Sequence, residues 1–146
     1  MNKDEKNSDV RTILQKKGIN ITTQRLEMAE YLFQKNQHLT AEQIFQEVNQ
    51  KFPSASRATV FNNLKTFVEK GLLRQLEIHS GTMLYDSNVT KHHHVIDENT
   101  GEIFDVEISQ DLEDKIVSEI QQDFETKTGR VMKDSSVVIT FHRSSN

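Results

Sequence analysis

The stretch Ser56-Arg57-Ala58-Thr59-Val60-Phe61-Asn62-Asn63-Leu64-Lys65-Thr66-Phe67-Val68-Glu69-Lys70-Gly71-Leu72 decides the first half of the chain. Val60, Leu64, Phe67 and Val68 recur at helical spacing, and Gly71 is the residue type that ends a helix. The predicted helix starts at Ser54-Ala55-Ser56 and runs to Lys70. Its opposite face carries Arg57, Thr59, Asn62 and Lys65. These are short donors and positive charges of the kind that reach base edges and phosphates. A solvated polar face has the same composition, so this stretch alone leaves both readings open.

Immediately upstream, Thr40-Ala41-Glu42-Gln43 has the form of a capping box. It opens a helix with Ile44, Phe45 and Val48 inward, and Phe52-Pro53 stops it. Two helices joined by a short turn, the second presenting polar residues near its start, form a helix-turn-helix. Further upstream, Thr22 or Thr23 caps a helix to about Lys35, with Leu26, Ala29, Leu32 and Phe33 inward. Asp9 to Lys17 reads as a short first helix with Val10, Ile13 and Leu14 inward and Gly18 as its stop. Met1 to Ser8 reads as a frayed polar end. Downstream, Leu72 to Ile78 is strand-like, His79-Ser80-Gly81-Thr82 is a turn, and Met83-Leu84-Tyr85 returns. A helix-turn-helix followed by a hairpin is a winged helix.

The chain has 146 residues, enough for one ordinary domain or two small ones. Its net charge of −4 hides an asymmetry. Residues 1–86 carry 12 Lys/Arg against 10 Asp/Glu, net +2, and residues 87–146 carry 6 against 12, net −6. An acidic second half can mask a DNA-binding first half. The expected division is a winged-helix domain over 1–86, a hinge over 87–91, and a dimerisation and sensing domain over 92–146. The absence of cysteine excludes disulfides and thiolate metal sites. There is no apolar run near membrane-span length and no signal-peptide pattern, so the expectation is a cytoplasmic protein with no membrane partner.

The second half opens on Lys91-His92-His93-His94-Val95-Ile96, followed by Asp97-Glu98-Asn99-Thr100-Gly101-Glu102-Ile103-Phe104-Asp105. On a strand, His92 and His94 face one side and His93 the other. A turn at Glu98 to Gly101 folds Asp105 back toward them. A helix follows from about Asp111 to Lys127, with Leu112, Ile116, Ile120 and Phe124 as its stripe, and Val137 to Phe141 supplies a third strand. One helix on a three-stranded sheet leaves edges open, and dimerisation closes them. The predicted fold is α+β: an N-terminal winged helix-turn-helix domain and a C-terminal α/β dimerisation domain with a three-stranded antiparallel sheet.

Ligand candidates are His38, Asp86, His92, His94 and Asp105, with His79, His93, Asp97 and His142 as spares. Three neutral imidazoles and two carboxylates suit a divalent transition metal such as Fe²⁺, Mn²⁺ or Zn²⁺, not the all-oxygen shells of Mg²⁺ and Ca²⁺. Bland alternatives are a solvated histidine run, a packed His38 ahead of a helix cap, and an Asp86 that only makes a turn. A His/carboxylate metalloenzyme is a more distant alternative. Five protein ligands would leave it little room for substrate, and the helix-turn-helix would go unexplained.

In sequence the chain resembles the ferric uptake regulator (Fur) superfamily over nearly its whole length. Gly18-Ile19-Asn20-Ile21-Thr22-Thr23-Gln24-Arg25 is similar to the family's opening motif. Ser56 to Leu64, with Lys70-Gly71-Leu72 after it, resembles its recognition helix. His92-His93-His94 through Gly101 to Asp105 resembles its metal hairpin. Asn62-Asn63 and an Asp at 105 point to the peroxide-stress branch. The resemblance implies a metal-dependent repressor that binds a palindromic A/T-rich operator as a homodimer and is not an enzyme. It implies a regulatory Fe²⁺ or Mn²⁺ site at His38, Asp86, His92, His94 and Asp105, which Zn²⁺ can occupy in vitro. The metal would select the hinge state that fits DNA. It further implies oxidation of His38 and His92 by peroxide, and DNA contacts from Thr23, Arg25, Ser56, Arg57, Thr59, Phe61, Asn62 and Lys65. Phe61 stands where the family commonly has tyrosine, which keeps the ring and loses the hydroxyl. The alternative within the family is a regulator of iron or manganese level. Asp97 and Thr100 stand where the first cysteine pair belongs and the end near Ser144 offers no second, so a structural four-cysteine zinc is not expected. Lys91 and His93 likewise depart from the pattern of an accessory metal site.

Overall fold

The structure is a computed structural model that describes residues 3–34, 38–78, 81–132 and 135–142. Its elements in chain order are α1 (Lys3–Lys16), α2 (Thr23–Phe33), β1 (His38–Thr40), α3 (Ala41–Lys51), α4 (Arg57–Glu69), β2 (Arg74–Glu77), β3 (Met83–Asp86), β4 (His93–Asp97), β5 (Ile103–Val106), α5 (Gln110–Thr128) and β6 (Val138–Phe141). They fall into two compact units, Met1–Val89 and Thr90–Asn146. The turn residue His79 and the chain end near Ser144 lie outside the described residues.

In the first unit each helix begins where its cap requires. Thr22 accepts from the Arg25 N–H and opens α2. The Thr40 hydroxyl accepts from the Gln43 N–H while the Gln43 side chain accepts from the Thr40 N–H, so the expected capping box is complete. Ser56 accepts from the Thr59 N–H and opens α4. Gly71, at φ 68, follows the end of α4 in the left-handed region that L side chains avoid. α1 starts at Lys3, six residues before the Asp9 expected. Lys and Glu in that segment are good helix formers and nothing there breaks the turn.

The inward faces of these helices form one apolar cluster that includes Leu14, Met28, Ile44, Val60, Leu64 and Phe67, all fully buried. Leu72 and Leu73 close it beneath α4. The wing has one strand more than expected. β1 pairs antiparallel with β3, which pairs with β2, giving the order β1-β3-β2.

The second unit has the order β5-β4-β6. The β4–β5 hairpin is antiparallel as expected, with His94 opposite Asp105. β6 is a correction, because it runs parallel to β4, with His94 beside Val138. The sheet is therefore mixed rather than antiparallel throughout. A parallel partner needs a long connection, and α5 with the segment after it supplies one. Ser109 caps α5, and Gly129 in the left-handed region ends it.

Candidate metal centre and recognition helix

The first unit contributes one histidine–carboxylate pair. β1 and β3 place His38 directly opposite Asp86. His38 Nε2 lies 3.6 Å from Asp86 Oδ2, and the carboxylate is buried. Asp86 Oδ1 accepts the Asn88 N–H at 2.7 Å, which fixes the carboxylate's rotation and leaves Oδ2 toward the imidazole.

The second unit contributes two imidazoles and a carboxylate. His92, just ahead of β4, and His94 within it share one face, and Asp105 comes to them across the hairpin. His92 Nε2 is 2.9 Å from His94 Nε2, and Asp105 Oδ1 is 3.4 Å from the first and 3.6 Å from the second. Both imidazoles are buried. The tautomer of His92 follows from its other nitrogen. Nδ1 lies 2.8 Å from the Thr90 carbonyl, which can only accept. Nδ1 therefore carries the proton, and Nε2 presents a lone pair to the cluster. This is the usual arrangement of a metal-binding histidine, whose far N–H is held by a carbonyl.

The donor set fits a metal ion. Bonds of about 2.0–2.1 Å set at a right angle would put two ligand nitrogens about 3 Å apart, close to the separation here. Nitrogen with carboxylate oxygen suits a borderline divalent ion. Within this group the donor atoms of His92, His94 and Asp105 lie within 4.8 Å of one another.

His93 is turned the other way and held differently. The Val137 N–H donates to His93 Nδ1 at 3.0 Å, so its proton sits on Nε2, the opposite tautomer to that of His92. Nε2 faces Glu113 Oε2 at 3.5 Å. Asp97, also buried, accepts the Asn99 N–H at 2.9 Å and shapes the hairpin turn. His142 pairs with Glu98 at 2.6 Å beside the end of β6. None of the three spares placed in this unit joins the His92–His94–Asp105 group. The Thr90 carbonyl is a contributor that side-chain patterns do not reveal.

The polar face of α4 carries Arg57, Thr59, Phe61, Asn62 and Lys65, all exposed. Arg57 pairs with Glu42 and its guanidinium stacks 4.7 Å over the Phe45 ring. Ser56 and Thr59 share a 2.8 Å hydroxyl contact, Lys65 approaches Glu69 at 3.9 Å, and Thr23 is exposed at the start of α2. Arg25 is half-buried. Its Nε donates to Asn63 Oδ1 at 2.9 Å and its Nη1 to the Asn20 carbonyl at 3.0 Å. Asn63 is the buried polar residue of α4, and its amide also approaches Gln24 and Met28. Arg25 and Asn63 thus set how α4 sits on α2. The sequence places Asn63 beside the exposed Asn62 but does not mark it as internal. Among the described residues no helix is long and apolar enough to cross a membrane.

Comparison with known proteins places the chain in a family. The chain is 33% identical over 118 residues to the peroxide-responsive repressor PerR of Staphylococcus aureus (strain Mu50 / ATCC 700699), covering 81% of this chain and 80% of that one. It is 37% identical over 97 residues to the protein of the same name from Staphylococcus epidermidis, covering 66% of this chain and 65% of that one. The relatives are named as repressors, in keeping with a regulator rather than an enzyme. Among solved structures, the Campylobacter jejuni peroxide stress regulator superposes with a TM-score of 0.61 at 25% identity, covering 94% of this chain and 96% of that one. The Pseudomonas aeruginosa ferric uptake regulator with manganese superposes with a TM-score of 0.69 at 21% identity, covering 92% and 98%. Residues 16–140 match the ferric uptake regulator family, and the chain belongs to that family.

Proposed function

We propose that this protein is a metal-dependent, DNA-binding repressor that acts as a homodimer in the cytoplasm and senses hydrogen peroxide. Residues 1–86 read DNA, 87–91 form the hinge, and 92–146 dimerise and sense. The observation that carries this reading is the 2.9 Å approach of the His92 and His94 Nε2 atoms beside Asp105. The Thr90 carbonyl leaves His92 Nε2 bare, where it can accept the His94 Nε2–H or, once that proton has left, share a cation with His94, and the family is one of metal-responsive regulators. His38 and Asp86 complete the ligand set, and the ion is Fe²⁺ or Mn²⁺, with Zn²⁺ as a substitute in vitro. No four-cysteine zinc is possible in a chain without cysteine.

Each residue has its part. His92 and His94 supply neutral nitrogen donors, Asp105 and Asp86 supply negative charge, and His38 supplies the third imidazole. Iron held there would lend electrons to hydrogen peroxide, which is the net two-electron oxidant: one peroxide oxygen would add at an imidazole C–H carbon and the other would leave as water. His38 and His92 are the positions expected to take that oxygen, after which the ring is a poorer donor and the DNA-binding state is lost. On the operator, a palindromic A/T-rich duplex, Thr59, Phe61 and Asn62 meet base edges, with the Phe61 ring against a thymine methyl. Thr23, Ser56, Arg57 and Lys65 meet phosphates. Arg25 serves the contact through the helix that it holds.

The test is a gel-shift series on such a duplex with apo, Mn²⁺-loaded, Fe²⁺-loaded and peroxide-treated Fe²⁺ protein, each analysed by mass spectrometry. Binding is expected with either metal, with loss on peroxide only in the iron form and one added oxygen on His38 or His92. Retained binding without added oxygen would turn the function to sensing of metal level. Equal binding by apo protein would remove the metal from the mechanism.

A further inference from the structure

α5 is a 19-residue helix whose sole buried residue is a charged one, Glu113. Its apolar Leu112 and Ile120 are 47% and 53% exposed. The Glu113 carboxylate is held at both oxygens. Oε1 pairs with the Lys91 ammonium, and Oε2 faces His93 Nε2 at 3.5 Å. His93 in turn accepts the Val137 N–H. One cluster on the back of β4 thus joins the strand, the first turn of α5 and the entry to β6. The ligands His92 and His94 flank His93 in sequence and face the opposite way.

We propose that Lys91, His93 and Glu113 form a joint that holds α5 and β6 against the ligand-bearing strand. They are positioning residues for the metal centre. The proposal rests on the metal-dependent reading given above. A carboxylate taken out of water needs an opposite charge and hydrogen-bond donors. Lys91 supplies the charge and His93 turns its N–H toward the same group. The ammonium is part of the chain, so this joint is filled without any metal ion. With an uncharged side chain in place of Lys91, Glu113 is left under-compensated and moves toward water, taking the first turn of α5 with it. His93 then loses its facing anion, and a shift of His93 carries His92 and His94 out of register with Asp105.

The experiment is a Mn²⁺ titration of the full chain as wild type, K91M, K91R, E113Q and K91M/E113Q, with hydrogen exchange followed at the amides of residues 110–113 and 137. K91M is expected to weaken Mn²⁺ binding by roughly 10- to 100-fold, the range for residues that orient metal ligands. Its amides in those two segments should exchange faster. K91R should stay near wild type, and K91M/E113Q should recover affinity because the uncompensated charge is gone. If K91M does not fold, E113Q carries the same test: it should lose affinity and regain it when K91M is added. Wild-type affinity in both K91M and E113Q would overturn the joint while leaving the metal centre intact. A double variant no better than K91M would also overturn it, since the loss would then not come from an unbalanced charge. Failure of the wild type to bind Mn²⁺ would overturn the metal reading, and the joint's role with it.

Discussion

The two units are held together by different physics. Met1–Val89 buries a continuous set of aliphatic and aromatic side chains, from Val10 and Leu14 to Leu72 and Leu73. In Thr90–Asn146, among the described residues, Ile96 is the one buried apolar residue, beside buried His92, His93, His94, Asp97 and Glu113. The apolar residues of its β6 and of the α5 stripe remain half-buried or exposed. A hydrophobic core gains stability from area removed from water, whatever else is bound. A polar interior is stable only while every charge and donor has its counterpart. The first unit is therefore built to keep its shape unconditionally. Under the proposed function, the second depends for its stability on what it binds, a cation on one side and a second copy on another.

This contrast can be broken most forcefully at Leu64, which is fully buried in the first unit. Leu64→Ala should lower unfolding free energy by about 2–5 kcal/mol in denaturant titrations, with or without metal. Next in size is Ile139→Asp on β6, where the side chain is 53% exposed. It should leave the secondary structure of the single chain intact while weakening self-association by about tenfold or more in sedimentation velocity. Unchanged association would mean that the second copy does not cover this face. The smallest effect compares two caps. Thr40→Ala removes half of a reciprocal box and should cost about 1 kcal/mol. Ser109→Ala removes a single contact of 3.4 Å and should cost less. Equal costs in thermal unfolding would show that the box adds nothing to the single cap.

Much of this was legible in the residues, for local reasons. Thr40 with Gln43, Ser56, Gly71 and the alternation of His92 and His94 each act within a few residues, so their spacing carries their meaning. The strand β1 was not legible. Three residues show no period, and His38–Thr40 becomes a strand only because β3 offers an edge. The direction of β6 was not legible either, since a run such as Val138–Phe141 reads alike for either orientation. The α5 stripe misled in a particular way. Leu112 and Ile120 mark an apolar face, and periodicity cannot distinguish a face covered within the chain from one that awaits a partner. Glu113, beside that face, was the residue turned inward. In the candidate site, the residue types and the shared face of His92 and His94 could be read. The opposite tautomers of His92 and His93 could not, because they are set by a carbonyl at Thr90 and an amide at Val137.

The parallel partnering of β4 and β6 bears on how each molecule comes into being. β5 follows β4 closely, but the other edge of β4 is paired by residues 138–141, and the tautomer of His93 waits on Val137. Chains emerge from the ribosome N-terminus first, and domains fold largely as units. The first unit, with α4 and its core, is therefore complete while the strand that carries His94 still lacks its second neighbour. Every newly made copy passes through an interval in which its first unit is folded and the His92–His94–Asp105 group is not yet braced by β6. The length of that interval is set by translation through α5.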